Sequence, residues 1–331
     1  MNKMEQRKIY IKAATQISPQ EPLAETWINN PIFPSLPYTR SLDPNFRNWL
    51  PPLESRRMGK IMRRAIVTSM KVLKSAELTE PDAIITGTGL GCIENTELFL
   101  DQLCREGEEM LKPTYFMQST HNTISSLMAI KTKCHGYNST YSHKSISFDS
   151  ALLDAFVQIK LGDVNSVLVT GNDEMTPSYF KILQRTGYVG QPKQVTAGEV
   201  SVAMVLTTDG DKDHLCEIED VRLSMGKPDL ESLIEYVDAV MMGYNGNKIN
   251  DDVYDKIKES LPMLPILQYK NLFGECYTAS ASGIYAAAHL LNTGSVPDFM
   301  RYDDAPLERF RNILFINHSD GLSFSAILLK K

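Results

Sequence analysis

An α/β fold built from two similar halves is what this sequence predicts, and three observations lead there. Short apolar strands alternate with helical segments along most of the chain. The same order of elements runs twice. The 331 residues, 43% hydrophobic and 22% charged, are ample for two packed units and exclude a disordered chain. The net charge of −6 leaves no whole-chain electrostatic footprint for nucleic acid. The longest apolar runs, at 201–206 and 284–288, fall far short of a bilayer span. The opening stretch 1–12 is charged, without an apolar signal region. A cytoplasmic protein with no nucleic-acid and no membrane partner is the expectation.

The elements follow in order. Residues 9–17 alternate as a strand. Residues 19–52 hold eight prolines and read as an ordered loop wrapped around a body. Residues 58–75 bring Met62, Ile66, Met70 and Leu73 near one helix face. A short strand at 82–86 runs into Gly87-Thr-Gly-Leu-Gly91 and a helix over 93–111. That glycine spacing is G-x-G-x-G with no lysine after it. It is neither a dinucleotide fingerprint nor a P-loop, and reads as a tight strand-to-helix turn with no cofactor implied. Residues 139–145 alternate as a strand. A helix over 149–161 carries Leu152, Leu153, Phe156, Ile159 and Leu161, and Gly162-Asp163 ends it. Residues 166–170 read as a buried parallel-type strand, and 198–208 as another. The second round begins after Asp209: strand 215–221, helix 229–241, strand 266–269, helix 278–291, and a closing pair at 313–317 and 323–329. The halves are therefore 1–208 and 209–331. The stretch 279–288 is mostly alanine and serine, suited to close helix packing.

Five cysteines, Cys92, Cys104, Cys134, Cys216 and Cys276, are widely spaced and form no C-x-x-C, which reads as reduced thiols in a reducing compartment. Cys134 and His135 are sequence neighbours and point opposite ways on an extended chain. Glu275 beside Cys276 works against a thiolate there. Asp251-Asp252 and Asp303-Asp304 lack a third ligand at useful spacing, so no metal is implied.

The stretch 136–174 holds a strand, a turn at Ser145, a buried helix, Gly162-Asp163, then a strand ending Gly171-Asn-Asp-Glu174. It resembles the nucleophile-elbow region of β-ketoacyl-acyl-carrier-protein synthases. Other blocks resemble that family in its order: the glycine turn at 86–91, the proline- and aromatic-rich segment 113–119, Gly198-Glu199, the lysine block 270–287 and the closing turn 317–326. The resemblance covers most of residues 80–331. It implies a thiolase-like fold: duplicated α/β halves with mixed sheets and buried helices between them, here those after Ser145 and after Gly274. It also implies a dimer through the strand 139–145, with His121 and Asn122 near the two-fold.

The catalytic set departs from the family. Ser145 stands in the place of the nucleophilic cysteine, and a register shifted by three puts Phe148 there instead. Met242 precedes Gly243 where a histidine is expected, and Glu275 follows Gly274 where the second histidine belongs. Lys270 alone matches. A synthase needs a thiolate to accept the acyl chain and two imidazoles to stabilise the enolate formed on decarboxylation. Methionine donates no hydrogen bond, a carboxylate repels an oxyanion, and a serine hydroxyl is a poor nucleophile without a base. Such a vacant site resembles the chain-length factors, and the segments 176–198 and 208–242 look shortened, as if part of a substrate roof were missing.

The implied function is the non-catalytic chain-length-factor subunit of a type II fatty acid, polyketide or aryl polyene synthase pair. The implied partners are an acyl carrier protein and an active β-ketoacyl synthase in a heterodimer, with a homodimer left open. Acyl contacts are implied at Phe116, Met117, Phe148 and His318. Arg56, Arg57, Lys60, Arg63, Arg64 and Lys71 read either as a solvated helix face or as a docking patch for the acidic carrier. Two alternatives stand beside this reading. One is an active acyltransferase or thioester hydrolase using a Ser145–His318–Asp320 triad, although no G-x-S-x-G is present. The other is a homodimer that only binds acyl groups.

Overall fold

A computed structural model describes residues 7–35, 37–210 and 213–331. The first six residues of the charged opening stretch, Leu36 of the proline-rich segment, and residues 211–212 just past the expected junction lie outside the described residues. Ten strands form one sheet in the order β3-β2-β4-β5-β1-β6-β10-β9-β7-β8. They are β1 Tyr10–Ile17, β2 Ala83–Gly87, β3 Tyr137–Tyr141, β4 Ser166–Asp173, β5 Val200–Thr207, β6 Cys216–Met225, β7 Ala239–Met242, β8 Ile266–Leu267, β9 Asn312–Ser319 and β10 Ser323–Lys330.

The duplication is explicit in this order. From rim to junction, both sets of five run third, second, fourth, fifth, first. The pairing repeats too. β2 is parallel to β3 and β4, β4 antiparallel to β5, and β5 antiparallel to β1. β7 is parallel to β8 and β9, β9 antiparallel to β10, and β10 antiparallel to β6. The halves join where β1 meets β6, through Tyr10 opposite Glu217 and Ile11 opposite Cys216.

Two helices form the central layer. Every residue from Ala279 to Leu291 of the helix Ala279–Thr293 is buried. A helix apolar or small on all sides has no solvent face to offer, and this one packs against strands of both halves, β1, β4 and β5 on one side and β6, β9 and β10 on the other. The helix Ser147–Leu161 lies against it and against β2, β4 and β6. Gly162, in the left-handed conformation, closes that second helix.

Several expectations need correction. The helix expected over 229–241 is one turn, Glu231–Ile234, followed by the strand β7. Residues 239–242 are an apolar run short enough for a buried strand, and periodicity alone does not separate the two. The helix Ile93–Glu106 stops at Gly107, at φ 74°, instead of running to 111. β3 ends at Tyr141, and Lys144–Ile146 is a 3-10 turn rather than strand. Helices at Pro113–Ser119, Thr123–Thr132, Pro177–Arg185 and Lys248–Lys258 were not anticipated. Arg64 leaves the surface basic group: it is buried and pairs with Glu199 at 2.8 Å and Asp43 at 2.6 Å. Among the described residues no helix is long and apolar enough to cross a membrane.

Candidate functional site: a vacant elbow

After β3 the chain turns sharply into the helix Ser147–Leu161. Lys144 takes a positive φ of 47°, rare without glycine. Ser147 closes the turn: its hydroxyl accepts from the His143 N–H at 2.8 Å and donates to the Lys144 carbonyl at 2.6 Å. The helix backbone reaches the sheet because β2 offers Gly87, where a Cβ would lie 2.5 Å from the Phe148 Cα. The Phe148 side chain is wholly buried in the main core with Ile85 and Val169.

Beneath the elbow sits a polar group that the sequence reading missed. Asp149 is fully buried. It accepts from Ser280 at 2.6 Å, from Ser325, and from Asn317 at 3.2 Å. Asn317 also donates to the Ser145 carbonyl at 2.8 Å. Burial pushes the Asp149 carboxyl up from its ordinary value, and these three donors pull it back. Both buried helices, β9 and β10 are tied together at this point.

Ser145 itself has little chemistry. Its hydroxyl lies 3.5 Å from the Tyr188 hydroxyl, and burial, with Glu275 nearby, holds that tyrosine well above its usual pKa. The expected triad does not assemble. The Gly321 N–H donates to His318 Nδ1 at 3.2 Å, which puts the proton on Nε2, and Nε2 donates to the Asn250 carbonyl at 3.2 Å. Both ring nitrogens are engaged away from Ser145. Burial, then the Lys270 charge, lowers the His318 pKa to about 4. Asp320 pairs with Lys144 at 2.8 Å.

The other positions are equally far from synthase chemistry. Met242 is buried in a cluster with Val240, Tyr254 and Ile316. Lys270 and Glu275, both buried, form an ion pair at 2.8 Å, and Asn245 donates to the same carboxylate oxygen at 2.5 Å. The cavity beside them, walled by Leu90, Glu174, Met175, Tyr188, Glu275 and Tyr277, has about 10 Å³ of free space, room for roughly one water. Ser145, Phe148 and His318 are not among its walls. Asp173 and Glu174 at its edge are raised by burial to about 6 and about 7. Phe116 and Met117 lie elsewhere, on the surface helix Pro113–Ser119, 57% and 69% exposed. Tyr188 and Asn247, which close the site, had no singled-out motif. An Asn-Gly-Asn turn before an acid-rich helix was the available signal.

The two-half topology around a buried pair of helices defines a thiolase-like fold, and comparison of structures agrees. The chain superposes on the ishigamide ketosynthase/chain length factor with a TM-score of 0.76 at 17% identity, covering 98% of this chain and 99% of that one. It superposes on the ketosynthase ApeO in complex with its chain length factor ApeC from Xenorhabdus doucetiae at 0.77 and 15% identity, covering 100% and 99%. A β-ketoacyl synthase from Burkholderia phymatum gives 0.78 at 11% identity, covering 98% and 99%. A sequence search of curated proteins finds no match. The family model for the β-ketoacyl synthase N-terminal domain matches residues 25–234, and the chain belongs to the β-ketoacyl synthase family.

Proposed function

We propose that this chain is a non-catalytic subunit of the chain-length-factor type. It pairs with an active β-ketoacyl synthase and shapes the products that the pair builds on an acyl carrier protein in the cytoplasm. One observation carries the reading: the family's nucleophile position holds a serine with no base on its hydroxyl, under a tyrosine, next to a cavity with room for about one water. Lys270, spent on Glu275, has no partner chemistry left to offer a substrate.

The β3 rim supports the pairing. β3 is an edge strand, and Phe116, Met117, Ile130 and Tyr137 are exposed apolar side chains on elements close to it in the chain. Such an edge without a cover invites association. Phe116 and Met117 remain the proposed contacts for the end of the growing chain, and Arg56 and Arg57, both exposed, remain candidates for carrier docking. The boundary between the halves is placed at 208–209, between β5 and β6. Malonyl-carrier incubated with the purified chain should release no carbon dioxide, and mass spectrometry should find no acyl adduct on Ser145. Release that disappears in Glu275→Ala, or a covalent adduct on Ser145, overturns the reading. Co-purification with a synthase that keeps its Cys-His-His set is the positive result.

A further inference from the structure

The buried Lys270–Glu275 pair is linked by hydrogen bonds to the segment whose Tyr188 hydroxyl lies 3.5 Å from the half-buried Ser145. Glu275 accepts from Asn245 Nδ2 at 2.5 Å. Asn245 Oδ1 accepts from the Asn247 N–H at 3.0 Å. Asn247 Nδ2 donates to the Gly187 carbonyl at 3.1 Å and lies 3.5 Å from the Tyr188 carbonyl. The backbone makes the same connection: Val195 N–H donates to the Asn245 carbonyl at 2.9 Å, Glu275 N–H to Thr196 at 2.8 Å, and Gly198 N–H to Glu275 at 3.0 Å. Gly246, at φ 77°, lies so near the segment that a Cβ would sit 2.2 Å from the Lys193 carbonyl oxygen.

Val189 anchors the segment in a small apolar cluster with Met175, Leu183 and Ala197, and its outer part is lightly held. Residues 191–193 are exposed, and Gln191 and Gln194 bond mainly within the segment and to the end of the preceding helix. Tyr188 reaches inward from it to Ser145 and toward Tyr277, their ring centroids 6.2 Å apart.

We propose that residues 186–196 form a lid over the vacant elbow, and that Lys270, Glu275, Asn245 and Asn247 are its latch. A carboxylate in place of an imidazole thereby does more than remove an oxyanion donor. It accepts from the lysine and the asparagine at once, and fixes the 245–247 turn against the lid. The site is closed by its own former catalytic positions. The proposal deepens the non-catalytic reading and rests on it for its biological sense.

The latch is tested by thiol labelling without carrier or partner, so its failure is a separate result from failure of the pairing role. The background is Cys104→Ser, because the other four cysteines are buried. In it, Ser145→Cys carries a thiol beneath the lid, and iodoacetamide is the probe. Slow labelling is expected with the latch intact. Asn247→Asp removes the amide donor to the lid while its carboxylate still caps the helix Lys248–Lys258 at the Ile249 N–H, a bond of 3.0 Å in the parent. It should speed labelling roughly tenfold, the effect of losing one or two hydrogen bonds on lid opening. Glu275→Gln, which leaves Lys270 without its anion, should speed it further. Labelling of the Ser145→Cys thiol as fast as that of exposed Cys104 in the parent, or an Asn247→Asp rate equal to that of the latched protein, overturns the latch. If Glu275→Gln fails to fold, the Asn247→Asp rate decides alone.

Discussion

The two halves share a topology but treat their rims in opposite ways. β3 and β8 occupy equivalent places, each third in its half and outermost in the sheet. β8 is only two residues, Ile266 and Leu267, both buried. Its outer edge is covered by the strip 300–302: Leu267 bridges Arg301, the Gln268 N–H donates to the Met300 carbonyl at 2.8 Å, and the Tyr302 N–H donates to Ile266 at 2.8 Å. β3 is five residues long, none of them buried, and among the described residues no strand lies beyond it. Duplication sets the order of strands, but it does not set what covers them. One rim is blunted from within, and the other has an uncovered edge among the described residues.

Matched charges on the two rims should break this comparison most visibly. Leu267→Asp puts an unpaired carboxylate into a closed edge and should cost more than about 4 kcal/mol, enough to prevent folding. Ser139→Asp on β3 should leave the melting midpoint of the isolated chain within a few degrees, yet abolish its pairing in sedimentation experiments. Equal effects at the two positions would show that the rims are not different in kind.

The comparison extends to the ends of the equivalent strands β4 and β9, where burial acts on groups of opposite charge. β4 leads into Asp173 and Glu174, with pKa values raised to about 6 and about 7. β9 holds His318, lowered to about 4. A raised carboxyl contributes stability that is present below its unfolded value and lost as pH rises through its folded value. Glu174→Gln should therefore stabilise the protein at pH 8 by up to about 3 kcal/mol, with the gain shrinking to nothing near pH 4.5. The lowered imidazole works the other way: its contribution is present above its unfolded value and is lost as pH falls from about 6.5 to about 4. His318→Gln should remove about 1–3 kcal/mol of that acid loss. Thermal melts across this range test both, and a Glu174→Gln gain that does not change with pH would count against the buried-acid account.

The smallest change in stability is expected on the helix Pro113–Ser119. Phe116 is 57% exposed, with its ring 5.4 Å from Phe99, so Phe116→Ala should cost the isolated chain less than about 1 kcal/mol. In a reconstituted pair it should lengthen the products, because the side chain that stops elongation by overpacking is gone. Shorter occupancy of the pair with products of unchanged length would make Phe116 a filler of the interface core.

Much of this fold follows from local pattern. The alternation of β1, the Val167-Leu168-Val169 run of β4, and the small-residue helix Ala279–Thr293 each read correctly because burial on one or all faces leaves a trace in the sequence. The identities Ser145, Met242 and Glu275 are legible without coordinates as well, and that they stand at the family's catalytic positions belongs to the proposed reading. What local pattern does not carry is the partner each side chain finds. The run 239–242 becomes a strand because β9 is there to pair with it. Arg64 is pulled inside by Glu199, 135 residues away, although Arg56 and Arg57 of the same basic stretch are exposed. His318 is turned from Ser145 by Gly321 and Asn250, and Tyr188 lies over the elbow because Asn247 holds its backbone. Residue types and their spacing determine which side chains stand at the positions that the family resemblance marks. Long-range packing alone decides that the vacated site is closed and that one rim stays open, because covering an edge or a pocket is a relation between segments remote in sequence.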